Sequence, residues 1–485
     1  MQIFKHFIDG RFVPAAGGAS LEVYEPASGA VYAMVADGAA ADVDAAVKAA
    51  ARAFPAWSAT PAEERARLLH AIADGIATRA EEFVIAESRD TGKPRTLARD
   101  MDVARSIANC RFFAAAAVQF ASEAHITDAA VNYTLRNPHG VVACITPWNL
   151  PLLLFTWKVA PALAAGNCVV AKPSELTPAT ATMFAEVAAA AGLPPGVLNV
   201  VHGRGASAGQ ALLEHPGVRA ISFTGGSATG AHIAATAAPV FKKLSLELGG
   251  KNPNLVFADC DFERTVEESV RAAFLNQGQI CLCGSRIYIE RPLYERFRDA
   301  FVARAQRLQV GDPDEPGNDL GALTSQGHMD KVLAAIATAR VEGGRVLCGG
   351  ERVRPAGRCA DGWFIAPTVI EGLAPDCRTD QEEIFGPVVT LAPFDTENEA
   401  VSLANGTRYG LVASLWTRDL DRAHRVARRI EAGIVWVNCW MLRDLRTPFG
   451  GTKASGVGRE GGLEAMHFFT EPRNVCIRVR GVDGE

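Results

Sequence analysis

The sequence lacks a membrane-length apolar run, an excess of basic residues and a signal-like start. Charges and prolines interrupt its alanine-rich stretches, so none approaches the roughly 20 apolar residues that cross a bilayer. The formal net charge is −5 and the Lys and Arg residues are scattered, which argues against a nucleic-acid partner. No positively charged segment leads into an apolar run near Met1. We therefore expect a cytoplasmic protein that binds neither membranes nor nucleic acid.

The cysteines do not suggest a disulfide framework. They are odd in number, 11, and lie mostly inside apolar runs such as "VVACIT", a pattern typical of buried, reduced thiols. In "NQGQICLCGSR", Cys281 and Cys283 are too close for an ordinary disulfide and lack the second ligand pair of a zinc site. We expect no metal site, and the spacing alone does not tell which sulfur, if either, reacts.

Short Val- and Ile-rich runs alternate with helical segments in two stretches of the chain. From about residue 140 to 250 the runs are "VVACIT", "CVVAK", "LNVVHG", "AISFTG" and "KLSLELGG", and from about 250 to 450 they include "RIYIE", "APTVI", "LVASLWT" and "GIVWVN". Residues 40–120 have helical patterns. Unbroken apolar strands joined by helices predict an α/β fold with parallel sheets, which bind ligands at the carboxyl ends of their strands.

Two alternating polar–apolar pieces stand apart from both sets. They are "NYTLRNPHG" near residue 132 and "NVCIRVRG" from residue 474. Strands at the end of a domain leave an edge that must be paired or blocked, and pairing between subunits is one solution. We interpret them as a candidate oligomerisation element of a homodimer or homotetramer.

Four loops follow predicted strands at their carboxyl ends: "ITPWNLP", "AKPSE", "FTGGSATG" and "LELGGKNP". A lone cysteine or asparagine in such a loop more often packs or turns than reacts. Glu247 is harder to dismiss, because a carboxylate at a strand end beside Gly-Gly needs solvent, a partner or a function. With the cysteine loop, these segments are expected to share one crevice that contains Asn149, Lys172, Glu175, Gly225, Glu247 and Cys281.

Several long motifs carry a specific family resemblance. "LELGGKNP", "NQGQICLCGSR", "ITPWNLP", "EEIFGPV" and "PFGGTKASGVGRE" resemble the signatures of the NAD(P)-dependent aldehyde dehydrogenase superfamily, in that family's order and over the whole chain. The resemblance implies a Rossmann-like NAD-binding domain (1–120 and 140–249), a second α/β catalytic domain (250–467) and a small β oligomerisation element (121–139 and 468–485).

The resemblance also assigns catalytic roles. The family's nucleophile follows Asn-Gln-Gly-Gln by two positions, which is Cys281 here, while Cys283 is left as a small apolar neighbour. A thiolate adds to an aldehyde to give a thiohemiacetal, whose oxyanion the Asn149 amide and the Cys281 N–H would stabilise. Glu247 would be the general base that activates water to hydrolyse the thioester. Lys158 and Glu460 match positions proposed to relay protons from Glu247, although a structural ion pair between them is equally expected.

The implied cofactor is NAD. Glu175 can accept hydrogen bonds from both ribose hydroxyls, whereas the extra phosphate of NADP would bring like charge against it. Gly225 would begin a helix that points at the pyrophosphate, Gly230 would permit close packing, and Gly226 stands where relatives often have serine, so one phosphate contact is missing. The residues expected to contact the cofactor are Thr146, Trp148, Lys172, Glu175, Gly225, Gly230, Glu383 and Phe385.

A charged residue in the segment before "PFGG" bears on the substrate. Within the superfamily, "GIVWVNCWMLRDLRTPFGG" and "DMDVARSIANC" are most similar to dehydrogenases of 2-hydroxymuconic and 2-aminomuconic 6-semialdehydes, which act in aromatic degradation. Arg443 lies where dehydrogenases of apolar aldehydes place apolar residues, and a guanidinium there can grip a carboxylate bidentately. Arg105 matches a second carboxylate contact, and Arg446 is the rival of Arg443, since either one can pair with Asp444 instead.

Other functions stay open at this point. Dehydrogenases that form a CoA thioester use the same cysteine but lack the general-base glutamate, which is present here as Glu247. The substrate can also be another small or uncharged aldehyde. A non-catalytic NAD-binding structural protein on this fold would not need Cys281, Glu247 and Asn149 together.

Overall fold

A large, mainly parallel sheet of eight strands forms the first half of the protein, in a computed structural model that describes residues 1–479. Its five central strands are parallel to one another, as the apolar runs between residues 140 and 250 predict. In spatial order the eight strands are Gly456–Val457, Lys243–Glu247, Val218–Thr224, Val141–Ile145, Cys168–Lys172, Leu198–Val200, His6–Ile8 and Arg11–Val13.

The order of these strands creates a crevice. After Val141–Ile145 the chain builds two strands on one side and then returns to build Val218–Thr224 on the other. The loops after Ile145 and Thr224 therefore diverge at the carboxyl end of the sheet, which is where open α/β sheets bind ligands.

Helices cover both faces of the eight-stranded sheet. Helix Pro151–Ala164 is buried over its entire length, as expected of a helix that is apolar on all sides. The predicted helical segment of residues 61–92 forms two helices, which meet at Arg79. The helices in this part of the chain are Ala40–Ser58, Ala62–Thr78, Ala80–Thr91, Arg95–Leu97, Ala104–Gln119, Pro151–Ala164, Ala179–Ala190, Gln210–Glu214 and Ser227–Ala237, with π-helical turns at Ala98–Val103 and Gly205–Gly209 and a 3-10 turn at Ala238–Val240.

A seven-stranded sheet follows, parallel except for its first strand. The four runs predicted after residue 250 are strands of this sheet. In spatial order its strands are Arg345–Cys348, Thr368–Glu371, Val388–Phe394, Arg286–Glu290, Pro253–Val256, Val412–Trp416 and Ile434–Val437. Its helices are Phe262–Phe274, Arg291–Ala305, Gln326–Val341, Arg378–Gln381, Glu397–Asn405 and Leu420–Ala427, with 3-10 turns at Leu275–Gly278 and Gly357–Cys359.

The two alternating pieces are strands that pair with each other. Thr470–Arg478 and Ala130–Pro138 run antiparallel over nine residue pairs, and Ala124–Ile126 completes this terminal sheet. Residues 480–485 of the expected oligomerisation element lie outside the described residues. The remaining elements are the strands Gln2–Phe4, Ser20–Glu25 and Ala30–Ala36, the strand pairs Arg352–Val353 with Phe364–Ile365 and Tyr409–Gly410 with Thr452–Lys453, and the helix Gly462–Phe468.

The short strand Gly456–Val457 matters for function. It pairs with Leu246 and Glu247 at the edge of the eight-stranded sheet, so the "PFGGTKASGVGRE" segment lies beside the end of that strand. Within residues 1–479, no helix combines the length and apolar character that a membrane crossing requires.

Candidate active site

A cavity of about 570 Å³ opens between the loops at the carboxyl end of the eight-stranded sheet and the segments of the second half. Six residues expected from the sequence contribute to its lining: Trp148, Asn149, Gly225, Cys281, Glu383 and Phe385. The cavity is thus built from loops that are far apart in the sequence, as the strand order requires.

The cysteine loop begins with a tight turn. Asn276, Gln277 and Gly278 all have positive φ, between 55° and 70°, and a side chain on Gly278 would come within 2.1 Å of the Gly386 carbonyl oxygen. After this turn the Asn252 Nδ2 donates to the carbonyl oxygens of both Cys281, at 2.7 Å, and Cys283, at 2.9 Å. The main chain that carries Cys281 is therefore fixed on both sides.

The two sulfurs differ in their surroundings. Cys281 is half-buried and lines the cavity, whereas Cys283 is 7% exposed and belongs to the hydrophobic core. Burial raises the pKa of the Cys281 thiol, and the carboxyls of Glu383 and Glu247 raise it further, while the Arg443 guanidinium acts in the opposite direction. Of these two cysteines, Cys281 is therefore the one whose side chain reaches the cavity.

Asn149 lies directly against the cysteine loop. Its Nδ2 donates to the Gln279 carbonyl oxygen at 2.9 Å, which uses one of its two N–H bonds. The main-chain carbonyl oxygen of Asn149 accepts from the Lys93 Nζ at 3.0 Å and from the Asn276 Nδ2 at 3.2 Å. The side-chain amide is thus oriented close to Cys281 with one donor to spare.

Glu247 ends its strand in a buried setting with charged groups nearby. It is 3% exposed, and neither carboxyl oxygen has a hydrogen-bond partner within residues 1–479. Burial raises its pKa well above the usual range, and the Glu460 carboxylate raises it further. A side chain on Gly450 would come within 2.6 Å of the Glu247 Oε1, so this glycine leaves the room that the carboxyl occupies.

Lys158 and Glu460 form a buried ion pair. The Lys158 Nζ lies 2.6 Å from the Glu460 Oε1 and 3.1 Å from the Ser222 Oγ, which in turn donates to the same carboxyl oxygen at 3.2 Å. Of the two alternatives for these residues, the ion pair is present. Its carboxylate is close enough to raise the pKa of Glu247.

The glycines of "FTGGSATG" lie where helix Ser227–Ala237 begins. Gly226 is the residue that caps this helix, and the Gly225 N–H donates to the Glu247 carbonyl oxygen at 3.0 Å. Gly230 packs on Leu248, where a side chain would come within 2.4 Å of a methyl carbon. These contacts let the helix N-terminus face the cavity, a position that favours an anion.

The expected ribose-binding residues lie at the end of strand Cys168–Lys172. The Lys172 Nζ lies 3.4 Å from the Glu175 Oε2, and burial lowers the pKa of Lys172 while Glu175 raises it. The Glu175 side chain is 32% exposed, which leaves it open to a ligand. Thr146, on the neighbouring loop, is buried and its Oγ1 has no partner within the described residues.

Glu383 and Phe385 border the cavity on the side of the second half. The Gly250 N–H donates to the Glu383 Oε1 at 2.9 Å, and burial raises the pKa of Glu383 to about 7. Phe385 has a φ of 60°, and its ring meets that of Trp148 edge-on at 5.4 Å.

Sequence reasoning missed one wall of the cavity. Helix Gln326–Val341 supplies five residues to it, and the region around helix Arg378–Gln381 supplies three more. No motif marks them, although the ring of His328 lies 5.0 Å from that of Trp148 and its Nε2 lies 2.7 Å from the Phe385 carbonyl oxygen. The missed lining residues are His328, Lys331, Ala334, Ala335, Thr338, Arg378, Thr379 and Glu382.

Two arginines pack on one tryptophan. The Arg443 guanidinium carbon lies 5.4 Å from the centroid of the Trp157 ring and 4.1 Å from that of Phe449, and the Arg105 guanidinium lies 5.5 Å from the same tryptophan. Within residues 1–479, no carboxylate lies within 4.0 Å of either arginine. Arg105 donates through its Nε to the Asn109 Oδ1 at 3.2 Å, and its buried Nη2 has no partner there.

Arg446 has a different environment. It is 80% exposed and its Nη2 lies 2.6 Å from the Asp444 Oδ2. Asp444 therefore pairs with Arg446, and Arg443 is left without a counter-ion. Burial and the nearby Arg105 together lower the pKa of Arg443 to about 10. These two cations therefore present a site for an anion.

Comparisons with known proteins agree with this geometry. Residues 12–475 match the model of the aldehyde dehydrogenase family. A 2-hydroxymuconic semialdehyde dehydrogenase of Pseudomonas sp. (strain CF600) is 49% identical over 486 residues, covering 99% of this chain and 100% of that protein. A 2-aminomuconic semialdehyde dehydrogenase of Danio rerio is 49% identical over 480 residues, covering 98% of each chain. PnpE from Pseudomonas sp. WBC-3 is 45% identical to this chain. Its crystal structure in complex with nicotinamide adenine dinucleotide matches with a TM-score of 0.96, and the match covers 100% of this chain and 99% of that one.

Proposed function

The chain belongs to the aldehyde dehydrogenase family, and from that premise we propose that it oxidises a semialdehyde bearing a carboxylate, of the 2-hydroxymuconic or 2-aminomuconic type found in aromatic degradation. It is an NAD-dependent aldehyde dehydrogenase. The observation that carries the choice of substrate is the half-buried Arg443, which has aromatic neighbours and no counter-ion within the described residues.

The arginine pair supports a carboxylated substrate. The two guanidinium groups, which both pack on Trp157, repel each other unless an anion joins them. A carboxylate between them accepts hydrogen bonds from both and neutralises this repulsion. Because Arg443 also influences the pKa of Cys281 and of Glu247, an anion held there would leave the rest of an extended substrate close to the nucleophile.

The residues around the cavity fit NAD. Gly225 and Gly226 open a helix N-terminus toward the cavity, which suits a pyrophosphate. Thr224 lines the same wall with a buried Oγ1 that has no partner within residues 1–479. Lys172 and Glu175 would bind one ribose, and Glu383 the other, with Trp148 and Phe385 packed beside it. When bound, NAD supplies the hydride acceptor for the reaction.

Cys281 and Asn149 would carry out the first chemical step. The Cys281 sulfur bonds to the aldehyde carbon, and the carbonyl electron pair moves to the oxygen. The free N–H of the Asn149 side chain and the Cys281 N–H would donate to this oxyanion, and such a donor is typically worth about 2.7 to 4 kcal/mol of barrier. Loss of hydride from the same carbon then leaves a thioester on Cys281.

Glu247 would act in the second step. Its carboxylate takes a proton from a water molecule as the water oxygen attacks the thioester carbon. The carbon–sulfur bond then breaks, which releases the carboxylic acid and the Cys281 thiolate, and the acid loses its remaining proton to solvent to become the carboxylate product. Burial raises the pKa of Glu247 above its usual range, which makes its carboxylate a stronger base than a solvated one. The Glu460 carboxylate would receive the proton next, held by its ion pair with Lys158, since it lies close enough to Glu247 to raise its pKa.

The location, domains and assembly are also proposals. We propose a cytoplasmic enzyme, which its 11 free cysteines support.

We propose the domain division stated above, and a homodimer or homotetramer formed through the terminal sheet. Strand Thr470–Arg478 lies at one edge of that sheet and is largely exposed, so its outer edge can pair with a second subunit. Sedimentation of the wild type and of the Asn474→Pro variant tests this assembly.

The proposed substrate is tested by comparing turnover of a muconic semialdehyde with turnover of an uncharged aldehyde of similar length. We expect a much higher kcat/KM for the carboxylated compound. A preference for the uncharged aldehyde would overturn the assignment. NAD binding without NADH production from any aldehyde would instead favour a non-catalytic protein, and dependence of turnover on CoA would indicate thioester transfer.

A further inference from the structure

A buried charged cluster lies beneath Asn149 and contacts neither the cavity nor the solvent. Lys93 and Asp102 both have fully buried side chains, and the Lys93 Nζ lies 2.8 Å from the Asp102 Oδ2. Glu87 is also fully buried. Burying three ionisable groups is costly unless each is paired and hydrogen-bonded, so a cluster of this kind suggests a function beyond stability.

The cluster is internally balanced. Burial raises the pKa of Glu87 well above its usual range, and the Asp102 carboxylate raises it further. The Asp102 Oδ1 is buried and has no other donor within the described residues. A protonated Glu87 could donate to that oxygen, and a single negative charge would then face the Lys93 side chain.

Two contacts of the cluster lead to the loop that carries Asn149. The Lys93 Nζ donates to the Asn149 carbonyl oxygen at 3.0 Å. The Glu87 Oε1 accepts from the Leu152 N–H at 3.1 Å, at the start of the next helix. The loop is therefore held at the Asn149 carbonyl and at the Leu152 N–H by two fully buried side chains.

The turn at Gly92 and Lys93, which follows helix Ala80–Thr91, also reaches the cysteine loop. The Gly92 carbonyl oxygen accepts from the Ala322 N–H at 2.9 Å, and the Ala322 carbonyl oxygen accepts from the Gln277 Nε2 at 2.9 Å. A side chain on Gly321 would come within 1.9 Å of the Gly92 oxygen, so the two segments are in direct contact. Lys93 thus lies between the Asn149 loop and the turn that precedes Cys281.

We propose that Lys93 is a positioning residue for the oxidation: its ammonium, balanced by Asp102 and Glu87, fixes the main chain at Asn149 so that the Asn149 amide meets the oxyanion formed at Cys281. This inference rests on the role given to Asn149 in the proposed function. It assigns Lys93 no contact with substrate or cofactor, and its effect on the reaction is transmitted through Asn149.

The test is a double-mutant cycle on acylation. Lys93→Met keeps the length of the side chain and removes its donor. We expect it to slow the burst of NADH by on the order of 10- to 100-fold, the penalty for misplacing a group by about 1 Å, with NAD binding unchanged. In an Asn149→Ala background the same change should slow the burst by less than about threefold, because the group that Lys93 positions is already absent. An equal loss in both backgrounds would mean that Lys93 only supports the fold, and would overturn the inference.

Three further variants complete the design. Lys93→Arg should recover part of the burst rate, since it restores a cation. Lys242→Met is the matched control. Like Lys93, Lys242 donates to main-chain carbonyl oxygens, in its case those of Leu213 and His215. This substitution should leave the burst rate unchanged. If Lys93→Met fails to fold, Lys93→Met with Asp102→Asn removes both charges together and is measured in its place.

The cycle also separates the two levels of the argument. A normal burst in Asn149→Ala would overturn the oxyanion role in the proposed function, and the inference would fail with it. A slow burst in Asn149→Ala together with a normal burst in Lys93→Met would overturn the inference alone.

Discussion

Removing the guanidinium of Arg443 should lower kcat/KM for a carboxylated aldehyde and spare an uncharged one. Arg443→Ala deletes a half-buried cation that has no counter-ion within residues 1–479 and lies between the rings of Trp157 and Phe449. If a substrate carboxylate is its partner, the substitution leaves that carboxylate desolvated and unpaired. If the arginine only packs on the rings, every aldehyde should be affected to a similar degree.

The size of the effect follows from charge and burial. Two unit charges about 4 Å apart attract by about 4 kcal/mol at an effective dielectric constant of 20, and truncating one partner of a buried charge pair typically costs about 2 to 5 kcal/mol. Because Arg443 keeps some exposure, we expect about 2 to 4 kcal/mol. This corresponds to a loss of roughly 30- to 1000-fold in kcat/KM for the muconic semialdehyde.

The assay compares kcat/KM for the muconic semialdehyde and for an uncharged aldehyde of similar length. Arg446→Ala is the matched control from the same loop, since Arg446 is exposed and paired with Asp444. An exposed pair is worth about 0.2 to 1 kcal/mol, so this control should change little on either substrate. For the uncharged aldehyde, Arg443→Ala should be neutral or beneficial, because that substrate leaves the guanidinium unpaired.

Arg105 provides an internal check. If both arginines grip one carboxylate, the double variant Arg105→Ala with Arg443→Ala should lose less than the sum of the two single losses. Parallel losses on the charged and uncharged aldehydes across the three variants would refute the reasoning, since they would mean that the arginines support the structure of the pocket.

The remaining predictions concern the reacting groups. Cys281→Ala should abolish oxidation while NAD still binds, measured by calorimetry, and Cys283→Ala should keep most activity; equal loss in both folded variants would reject Cys281 as the nucleophile. Glu247→Gln should give a burst of roughly one NADH per active site and then a slow steady state, whereas failure of the burst would mean that Glu247 acts mainly on the thiol. Because burial raises the pKa of Glu383 to about 7, its carboxylate is ionised above that pH and protonated below it. NAD affinity should therefore weaken between about pH 8 and pH 6 in the wild type and stay level in Glu383→Gln, and an unchanged pH dependence in the variant would contradict the assigned contact.

The sheets were predictable because their strands carry a strong local signal. The five runs between residues 140 and 250 are buried on both faces, and strands such as Val141–Ile145 and Cys168–Lys172 have no exposed residue. Such strands read as unbroken apolar runs, and a proline-containing loop follows each of these two. The convergence of Asn149, Gly225 and Cys281 on one cavity followed from the rule that parallel sheets bind ligands at one end.

The wall formed by helix Gln326–Val341 carries no such signal. His328, Lys331 and Thr338 are ordinary helical residues, and only the packing of that helix against the cavity makes them lining residues. The cluster of Lys93, Asp102 and Glu87 escaped notice for a related reason. A lysine and two acids in sequence suggest an exposed face, and their complete burial results from contacts that are formed only when Pro151–Ala164 packs on them.

Arg443 and Arg446 show where the limit of sequence reasoning lies. They are three residues apart in one loop with Asp444 between them, and composition gives either arginine the same chance to pair with that acid. The fold decides, because the Arg446 N–H groups return to Asp444 across a single turn, while the Arg443 side chain lies on the rings of Trp157 and Phe449. One of these rings is in a helix almost 300 residues earlier in the chain, next to Lys158. Trp157, on which the Arg443 side chain packs, and Lys158, the ion-pair partner of Glu460, are therefore neighbours on one buried helix. A substitution that moves Trp157 should then change both substrate preference and the pH dependence of turnover.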